Sequence, residues 1–194
     1  MGALSLLAAA CMPGGAPPAP AGGTGAEGSL RQDEITVDLQ VQDVQVRVTP
    51  LHPEVLRVTA PDTRRRLSSL VPAGSDGAHF LVAVFTEAPG GAAFEPRSLA
   101  LENRGRLFRP TGIRAVTPGW GSARLEQQDA QQAVYTFSDE VDLELPLTVV
   151  VGSVRSGEWA SILPRIDAER ARIGAPGGAA APAQTSSSYF RILR

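Results

Sequence analysis

Apolar and polar residues alternate strictly over positions 35–41, where Ile, Val, Leu and Val hold the odd positions and Thr, Asp and Gln the even ones. A period of two predicts a strand with one buried face. Over 44–48 the apolar set moves to the even positions. This change of phase predicts a β-bulge or a strand that crosses between two sheets. A tight hairpin is less favoured, because Gln42 and Asp43 lack the glycine that short hairpin turns prefer.

The stretch 79–86 is apolar on both faces and predicts a central strand covered on both sides. Further strands are predicted at 98–102, 106–108, 112–117, 124–127, 133–138 and 142–151. The first two of these are joined by a hairpin at Asn103-Arg104-Gly105, the strands 124–127 and 133–138 are expected to pair, and Pro146 marks an edge or a bend. Short strands separated by Gly, Pro and Asn turns predict an all-β sandwich or barrel over 34–155.

Two helices are expected beside the strands. Asp62 is a candidate cap for a short helix over 63–70, whose three arginines indicate a solvated face or a contact with anionic lipid or protein. A longer helix is predicted over 159–172, within a C-terminal helical segment 156–173. Trp159 and Ile166 lie near one face of it, so this helix is expected to pack against the end of the sandwich.

The run Leu-Leu-Ala-Ala-Ala before Cys11 is typical of a bacterial lipoprotein signal, and Cys11 is the single cysteine of the chain. We therefore predict a signal over 1–11, truncated because no basic residue precedes Arg31, with lipid attached to Cys11. The alternative is a disordered leader with an incidental cysteine, but an unpaired cysteine in an exported chain needs an explanation. Met12 after the cysteine is not the aspartate of a retention signal, which favours an outer membrane.

Two segments rich in Pro, Ala and Gly flank the predicted domain. Residues 12–33 are expected to be a flexible tether, since such a composition buries too little apolar area to offset the entropy of ordering. Residues 174–194 are expected to be a flexible tail that ends in Tyr189-Phe190-Arg191-Ile192-Leu193-Arg194. This apolar end either docks on an exposed sheet edge of its own domain or engages a partner, and Tyr189 and Phe190 are its candidate contacts.

Charge and composition exclude some classes of function. The chain has 194 residues, 18 basic residues that are all arginine, and a net charge of −2. Nucleic-acid binding needs a basic excess that is absent, so no nucleic-acid partner is expected. No apolar run approaches the roughly 20 residues of a membrane-spanning helix.

The sequence holds no convincing catalytic set. There is no lysine to act as a base, and the common hydrolase and phosphate-binding motifs are missing. His79 with Asp76 has the spacing of half a metal site but is more typical of a solvated loop, and His52 fits a loop position. The acidic group 139–144 is a calcium alternative that lacks the usual loop pattern. We therefore predict no catalytic residue, no cofactor and no metal.

Trp120 lies in the turn Pro118-Gly119-Trp120-Gly121, where a large side chain is either displayed to a sugar or protein ligand or folded back over the end of the sandwich. Tyr135 and Phe137 share a strand face and are core candidates. Trp120 is therefore the main candidate for ligand contact within the domain.

Four short segments resemble bacterial envelope lipoproteins that carry an immunoglobulin-like domain of unknown function. They are Phe94-Glu95-Pro96, Gly105-Arg106-Leu107-Phe108-Arg109-Pro110, Val134-Tyr135-Thr136-Phe137 and Leu147-Thr148-Val149-Val150. The resemblance covers about a third of the chain and involves strand cores and turns, so it implies no catalytic or binding residue. It implies an immunoglobulin-like β-sandwich and a location in the cell envelope. Together with the predicted elements, the expected fold is an all-β, immunoglobulin-like β-sandwich with a C-terminal helix and disordered N- and C-terminal segments.

The expected function is that of a lipid-anchored, non-enzymatic binding or assembly module, with the membrane and other envelope proteins as partners. One alternative is a structural subunit of an envelope complex that docks through its C-terminal tail. Others are a hydrolase and a carbohydrate binder acting through Trp120.

Overall fold

The computed structural model describes residues 26–72, 74, 76–121 and 124–175, which are mostly β. The strands are β1 (Val37–Val41), β2 (Val44–Pro50), β3 (Ala78–Thr86), β4 (Leu99–Asn103), β5 (Arg106–Phe108), β6 (Gly112–Ala115), β7 (Ala130–Phe137), β8 (Leu147–Val151) and β9 (Val154–Ser156). The helices are α1 (Pro53–Leu56), α2 (Pro61–Ser68) and α3 (Trp159–Gly174), with 3-10 helices at Gln32–Ile35 and Pro96–Ser98. Two antiparallel sheets result, one of five strands in the order β1-β2-β3-β7-β6 and one of four in the order β5-β4-β8-β9.

The first two strands form a tight hairpin, which corrects the expected bulge or crossing. Val41 pairs with Val44, so the loop is only Gln42 and Asp43. Gln42 has φ of 52°, the left-handed region that the first central residue of such a turn requires. A two-residue loop also accounts for the change of phase, because Val41 and Val44 then lie opposite each other on the same face.

Strand β3 is the centre of the five-stranded sheet, as predicted, and lies between β2 and β7. Phe80 and Val82 face the inside of the molecule and Leu81 the other side, and all three are almost fully buried. The outer face is covered near its centre by the segment that contains α1 and α2. Arg114 of β6 contacts the end of this segment, because its Nη2 donates to the carbonyl oxygen of Leu70 at 2.5 Å.

The four-stranded sheet is built from two hairpins. The predicted hairpin at Arg104-Gly105 is confirmed, with φ of 54° and 71° at its two loop residues. The second hairpin joins β8 and β9 through Gly152 and Ser153, and β9 had no signal in the sequence pattern. The inner face of this sheet, which includes Leu101 and Val149, belongs to the same buried cluster as the inner face of the first sheet.

Two predicted strands have other conformations. Residues 124–127 do not pair with β7, whose partners are β3 and β6; instead Leu125 forms an isolated bridge with Ala92. The strand expected over 142–151 begins only at Leu147. The preceding loop is held by the buried Asn103, whose Nδ2 donates to the carbonyl oxygen of Asp142 at 3.0 Å and whose Oδ1 accepts from the Asp142 amide.

Helices α1 and α2 begin at prolines, and α2 does not begin at the expected cap. Helix α2 starts at Pro61 with Ala60 before it, so Asp62 lies in the first turn and caps nothing. Helix α1 was not predicted, and His52 precedes it. None of the helices in the described residues is long and apolar enough to cross a membrane.

Helix α3 confirms the predicted C-terminal helix and packs on the core through Trp159, Ile162 and Ile166, which are buried. The indole Nε1 of Trp159 donates to the carbonyl oxygen of Leu143 at 3.1 Å. This bond connects the start of α3 to the loop before β8.

A buried carboxylate connects the far end of α3 to the chain before β1. Glu169 accepts hydrogen bonds from the Ser29 amide at 2.6 Å and the Ser29 hydroxyl at 2.8 Å, and it pairs with Arg172. Leu30 forms a parallel bridge with Thr59, and Gly28 lies directly against the backbone of Val58. The packed region therefore begins near Gly28, which corrects the predicted tether boundary at residue 33, while residues 12–25 lie outside the described part.

We predict that Glu169→Gln lowers the free energy of unfolding by about 2 kcal/mol near neutral pH, since hydrogen bonds to a charged group are lost. The bonds from Arg172 and Ser29 lower the pKa of Glu169 to about 2, from 4.5. Because the folded-state pKa is the lower one, this contribution is complete above pH 4.5 and is lost as the pH falls toward 2.

Urea unfolding at several pH values measures this effect. The wild-type advantage over Glu169→Gln should shrink between pH 4.5 and 2. Glu126→Gln, which changes an exposed carboxylate without a hydrogen bond or ion pair among the described residues, is the control. An advantage that does not change with pH would contradict the assignment.

Candidate ligand-binding groove around Trp120

Trp120 lies in the turn that follows β6 and is half-buried. The turn is closed by a hydrogen bond from the Trp120 amide to the carbonyl oxygen of Thr117 at 3.2 Å. Gly121 continues the chain with φ of 86°, a conformation that favours glycine. This turn holds the indole at the surface. The side chain is partly displayed, as one prediction has it, and partly folded back against the core, as the other has it.

Two aromatic rings fix the indole. Trp120 makes edge contacts with Phe94, at 6.0 Å between ring centroids, and with Tyr135, at 5.9 Å. The Tyr135 hydroxyl donates to the carbonyl oxygen of Pro96 at 2.8 Å. Burial, and secondarily the negative charge of Glu95, raise the pKa of the Tyr135 phenol well above its usual range. The ring therefore stays neutral and keeps this bond.

An open cavity of about 550 Å³ lies beside the indole. It occupies the side of the molecule where the chain passes from β5 in one sheet to β6 in the other. Its lining consists of three stretches from different parts of the sequence, namely Glu95, Pro96 and Arg97, then Arg109 to Ile113, and finally Trp120 and Gly121. We call this cavity the Trp120 groove.

The charged groups of the groove are one carboxylate and two guanidinium groups. Glu95 is engaged as a cap, because its Oε1 accepts from the Arg97 amide at 3.2 Å. The side chains of Arg97 and Arg109 are exposed and make no hydrogen bond or ion pair within the described residues. The indole Nε1 of Trp120 is also buried without a hydrogen-bond partner among them. The groove thus offers an aromatic surface and two free cations.

These groups suit binding better than proton transfer. A guanidinium keeps its charge at all ordinary pH values and recognises carboxylate or phosphate oxygens through several donors. An indole adds apolar contact area and a donor. The groove lining contains no histidine, cysteine or lysine.

Both histidines have structural contacts. His52 caps α1, where its Nδ1 accepts from the Glu54 amide at 3.3 Å. His79 is buried on the outer face of β3, with its Nδ1 3.2 Å from the Thr136 hydroxyl. Neither lies in the Trp120 groove, and Asp76 is exposed in the loop before β3.

The acidic group 139–144 forms ion pairs with the neighbouring hairpin. Asp142 pairs with Arg104 and Glu140 with Arg106. Hydrogen bonds from the Glu144 amide and from Arg104 lower the pKa of Asp142. Across the part of the chain that the structure describes, no group of three His, Cys, Asp or Glu side chains is arranged to hold a metal ion.

Of the candidate contact residues that the sequence predicted, Trp120 lies in the groove, while Cys11, Tyr189 and Phe190 lie outside the described residues. Sequence reasoning missed the role of Arg97 and Arg109, because they are single arginines and only the pairing of the sheets brings them near Trp120. The nearest signals are the segments Phe94-Glu95-Pro96 and Arg109-Pro110, which carry a resemblance but predict no binding residue.

No protein-family model, curated protein or solved structure matches this chain. The resemblance to envelope lipoproteins therefore stays a prediction.

We predict that Tyr135→Phe lowers the free energy of unfolding by about 1 kcal/mol, since one buried hydrogen bond to Pro96 is lost. Absorbance of phenolate at about pH 11 should be the same for the folded wild type and the variant, because the buried phenol does not ionise. Unfolding in denaturant at that pH should then release one extra phenolate from the wild type alone. A wild-type excess before unfolding would show that Tyr135 is open to solvent.

Proposed function

We propose that this chain is a lipid-anchored, non-enzymatic binding or assembly module of the bacterial cell envelope, and that its ligand binds in the Trp120 groove. The observation that carries the proposal is the groove itself. A cavity of about 550 Å³ brings an aromatic ring held by neighbouring rings together with two guanidinium groups that have no partner in the described part.

The finer assignment of the fold, an immunoglobulin-like β-sandwich, belongs to this proposal. It is supported by two antiparallel sheets that contribute to one buried cluster. The chain also changes sheets between β5 and β6, as sandwich topologies require. A rigid scaffold of this kind is suited to presenting loops for recognition.

The proposed anchor is compatible with the start of the packed region. Sixteen residues lie between Cys11 and Gly28, and a chain of that length spans at most about 60 Å. Ser29 is then bound to the buried Glu169. A pulling force on the N-terminal segment would therefore act on α3 through these bonds.

The alternatives have less support. A hydrolase needs a base or nucleophile, and the candidates in the groove lining are engaged elsewhere: Glu95 accepts the Arg97 amide, and the Thr111 hydroxyl donates to the carbonyl oxygen of Thr136. A structural subunit that docks through Tyr189 and Phe190 depends on the sequence of that tail alone. A carbohydrate ligand uses the same Trp120 surface and is a form of the proposed function.

The anchor predicts the mass of the N-terminal peptide in the native protein. Purified from the membrane fraction of its own cells, this peptide should begin at Cys11 and carry lipid. Cys11→Ser should move the protein out of that fraction, while Ser5→Ala, a change in the same segment, should not. An unmodified peptide that begins at Met1 would contradict the anchor and leave the groove untouched.

The groove predicts a site-specific cross-link. A photoreactive amino acid at Thr111, on the exposed rim, should form an adduct with one envelope component in living cells, and Trp120→Ala in the same chain should abolish it. The matched control places the same group at Ser153, which is exposed in the hairpin between β8 and β9. Equal labelling at the two positions, or labelling that survives Trp120→Ala, would refute the binding role.

A further inference from the structure

Within the described residues, strand β6 has one unpaired edge, and this edge lies beside the Trp120 groove. Backbone groups of alternate residues in an antiparallel strand point to opposite sides. The carbonyl oxygens of Thr136 and Gln132 in β7 accept from the amides of Thr111 and Val116, so the even residues of β7 face β6. Since Arg114 pairs with Val134, the amide and carbonyl groups of Ile113 and Ala115 point away from β7.

The other sheet edges have fewer backbone groups available to pair with a further strand. At the β1 edge, the outward amide of Asp38 donates to the Glu158 carboxylate at 3.0 Å, and β9 lies alongside that strand. Strand β5 turns only Leu107 outward, because Arg106 pairs with Asn103 next to the hairpin loop. Among the edge strands of the described residues, β6 therefore combines two outward-facing residues with an adjoining cavity.

The chemistry around β6 favours a partner with negative charge. The lining carries two guanidinium groups, on Arg97 and Arg109, against the single carboxylate of Glu95, which already accepts the Arg97 amide. Arginine forms paired hydrogen bonds with carboxylates. The cavity between Ile113 and Trp120 adds an apolar position, since both side chains pack against the core.

We propose that an extended acidic segment of a protein partner adds to β6 as a sixth strand of the larger sheet, with one apolar side chain in the Trp120 groove. Its main-chain groups pair with Ile113 and Ala115, and its carboxylates meet Arg97 and Arg109. Strand addition of this kind obtains affinity from the main chain and specificity from pockets for alternate side chains. The inference rests on the proposed function, because it names the ligand class of the same groove.

The test uses peptides selected for binding. A display library of random ten-residue peptides is panned against the purified chain, and the recovered peptides are synthesised and titrated by calorimetry. We expect recovered sequences rich in Asp and Glu, with an apolar residue at a fixed position among them. Replacing Arg97 and Arg109 by Gln should weaken binding by about tenfold each, since charge-assisted hydrogen bonds are lost.

Two further changes distinguish strand addition from other binding. Ala115→Pro removes an outward amide that does not bond to β7, so it should abolish binding while the thermal unfolding midpoint changes little. Gln40→Pro makes the same change at the opposite edge of the same sheet and should leave binding intact. In the bound peptide, N-methylation of alternate residues should abolish binding, whereas N-methylation of the intervening ones should not.

The outcomes separate the inference from the proposed function. Binding that survives Ala115→Pro, or that is lost equally with Gln40→Pro, overturns strand addition. Recovery of peptides without acidic enrichment overturns the choice of partner. If no peptide is recovered and the cross-link at Thr111 joins a glycan, strand addition is wrong and the binding module stands. If the Thr111 cross-link also fails, the proposed function fails with it.

Discussion

Strand β3 is buried on both faces, and most of the other elements are arranged around that burial. Phe80 and Val82 on one face and Leu81 on the other are each exposed by 2% or less. Burying such a side chain contributes about 1.5–3 kcal/mol, and a chain with one cysteine has no internal disulfide to replace that contribution. The four-stranded sheet therefore has to cover the inner face, and the segment of α1 and α2 has to cover the outer one.

Closing the inner face has a structural consequence at one side. The chain leaves β5 in the second sheet and enters β6 in the first within the three residues 109–111. The two sheets cannot close against each other there, because neither edge strand pairs with the other. What remains is an open cavity with an unpaired strand edge beside it. The candidate site thus arises where the packing of the core ends, which is why its residues come from β6 and from the segments that connect the strands.

The sequence predicted the elements whose signals are local. The alternation over 35–41, the apolar run of β3, the glycine hairpin after Asn103 and the stripe of α3 all produced elements near the expected places. The hairpin at Gln42 was not predicted, because a non-glycine residue rarely adopts positive φ. It does so here within a sheet that pairs both of its strands. The loop before β8 was also not predicted, because its conformation depends on a distant residue. It is held by Asn103, about 40 residues earlier in the chain, and no local pattern carries that contact.

The candidate site was predicted only in part, and the missing part depends on register. Trp120 stood out because a large aromatic residue in a Gly-Trp-Gly turn is unusual, whereas Arg97 and Arg109 were two of 18 arginines. They belong together only because β4, β5 and β6 place the connecting loops on one side. The same register determines that Ile113 and Ala115 face outward, since a shift of one residue would turn their amides toward β7.

The order of strands also separates the first packed residues from the candidate site. The chain enters through Ser29 and the 3-10 helix directly before β1, whereas β6 lies at the other edge of the same sheet. Four strand spacings of about 4.8 Å separate these edges by roughly 19 Å. A force applied to the chain before Ser29 acts first on contacts of α3 and β1, namely the Ser29–Glu169 bonds and the Asp38–Glu158 bond. The groove and the β6 edge lie beyond three intervening strands, so a ligand held there would not compete with the proposed anchor for the same contacts.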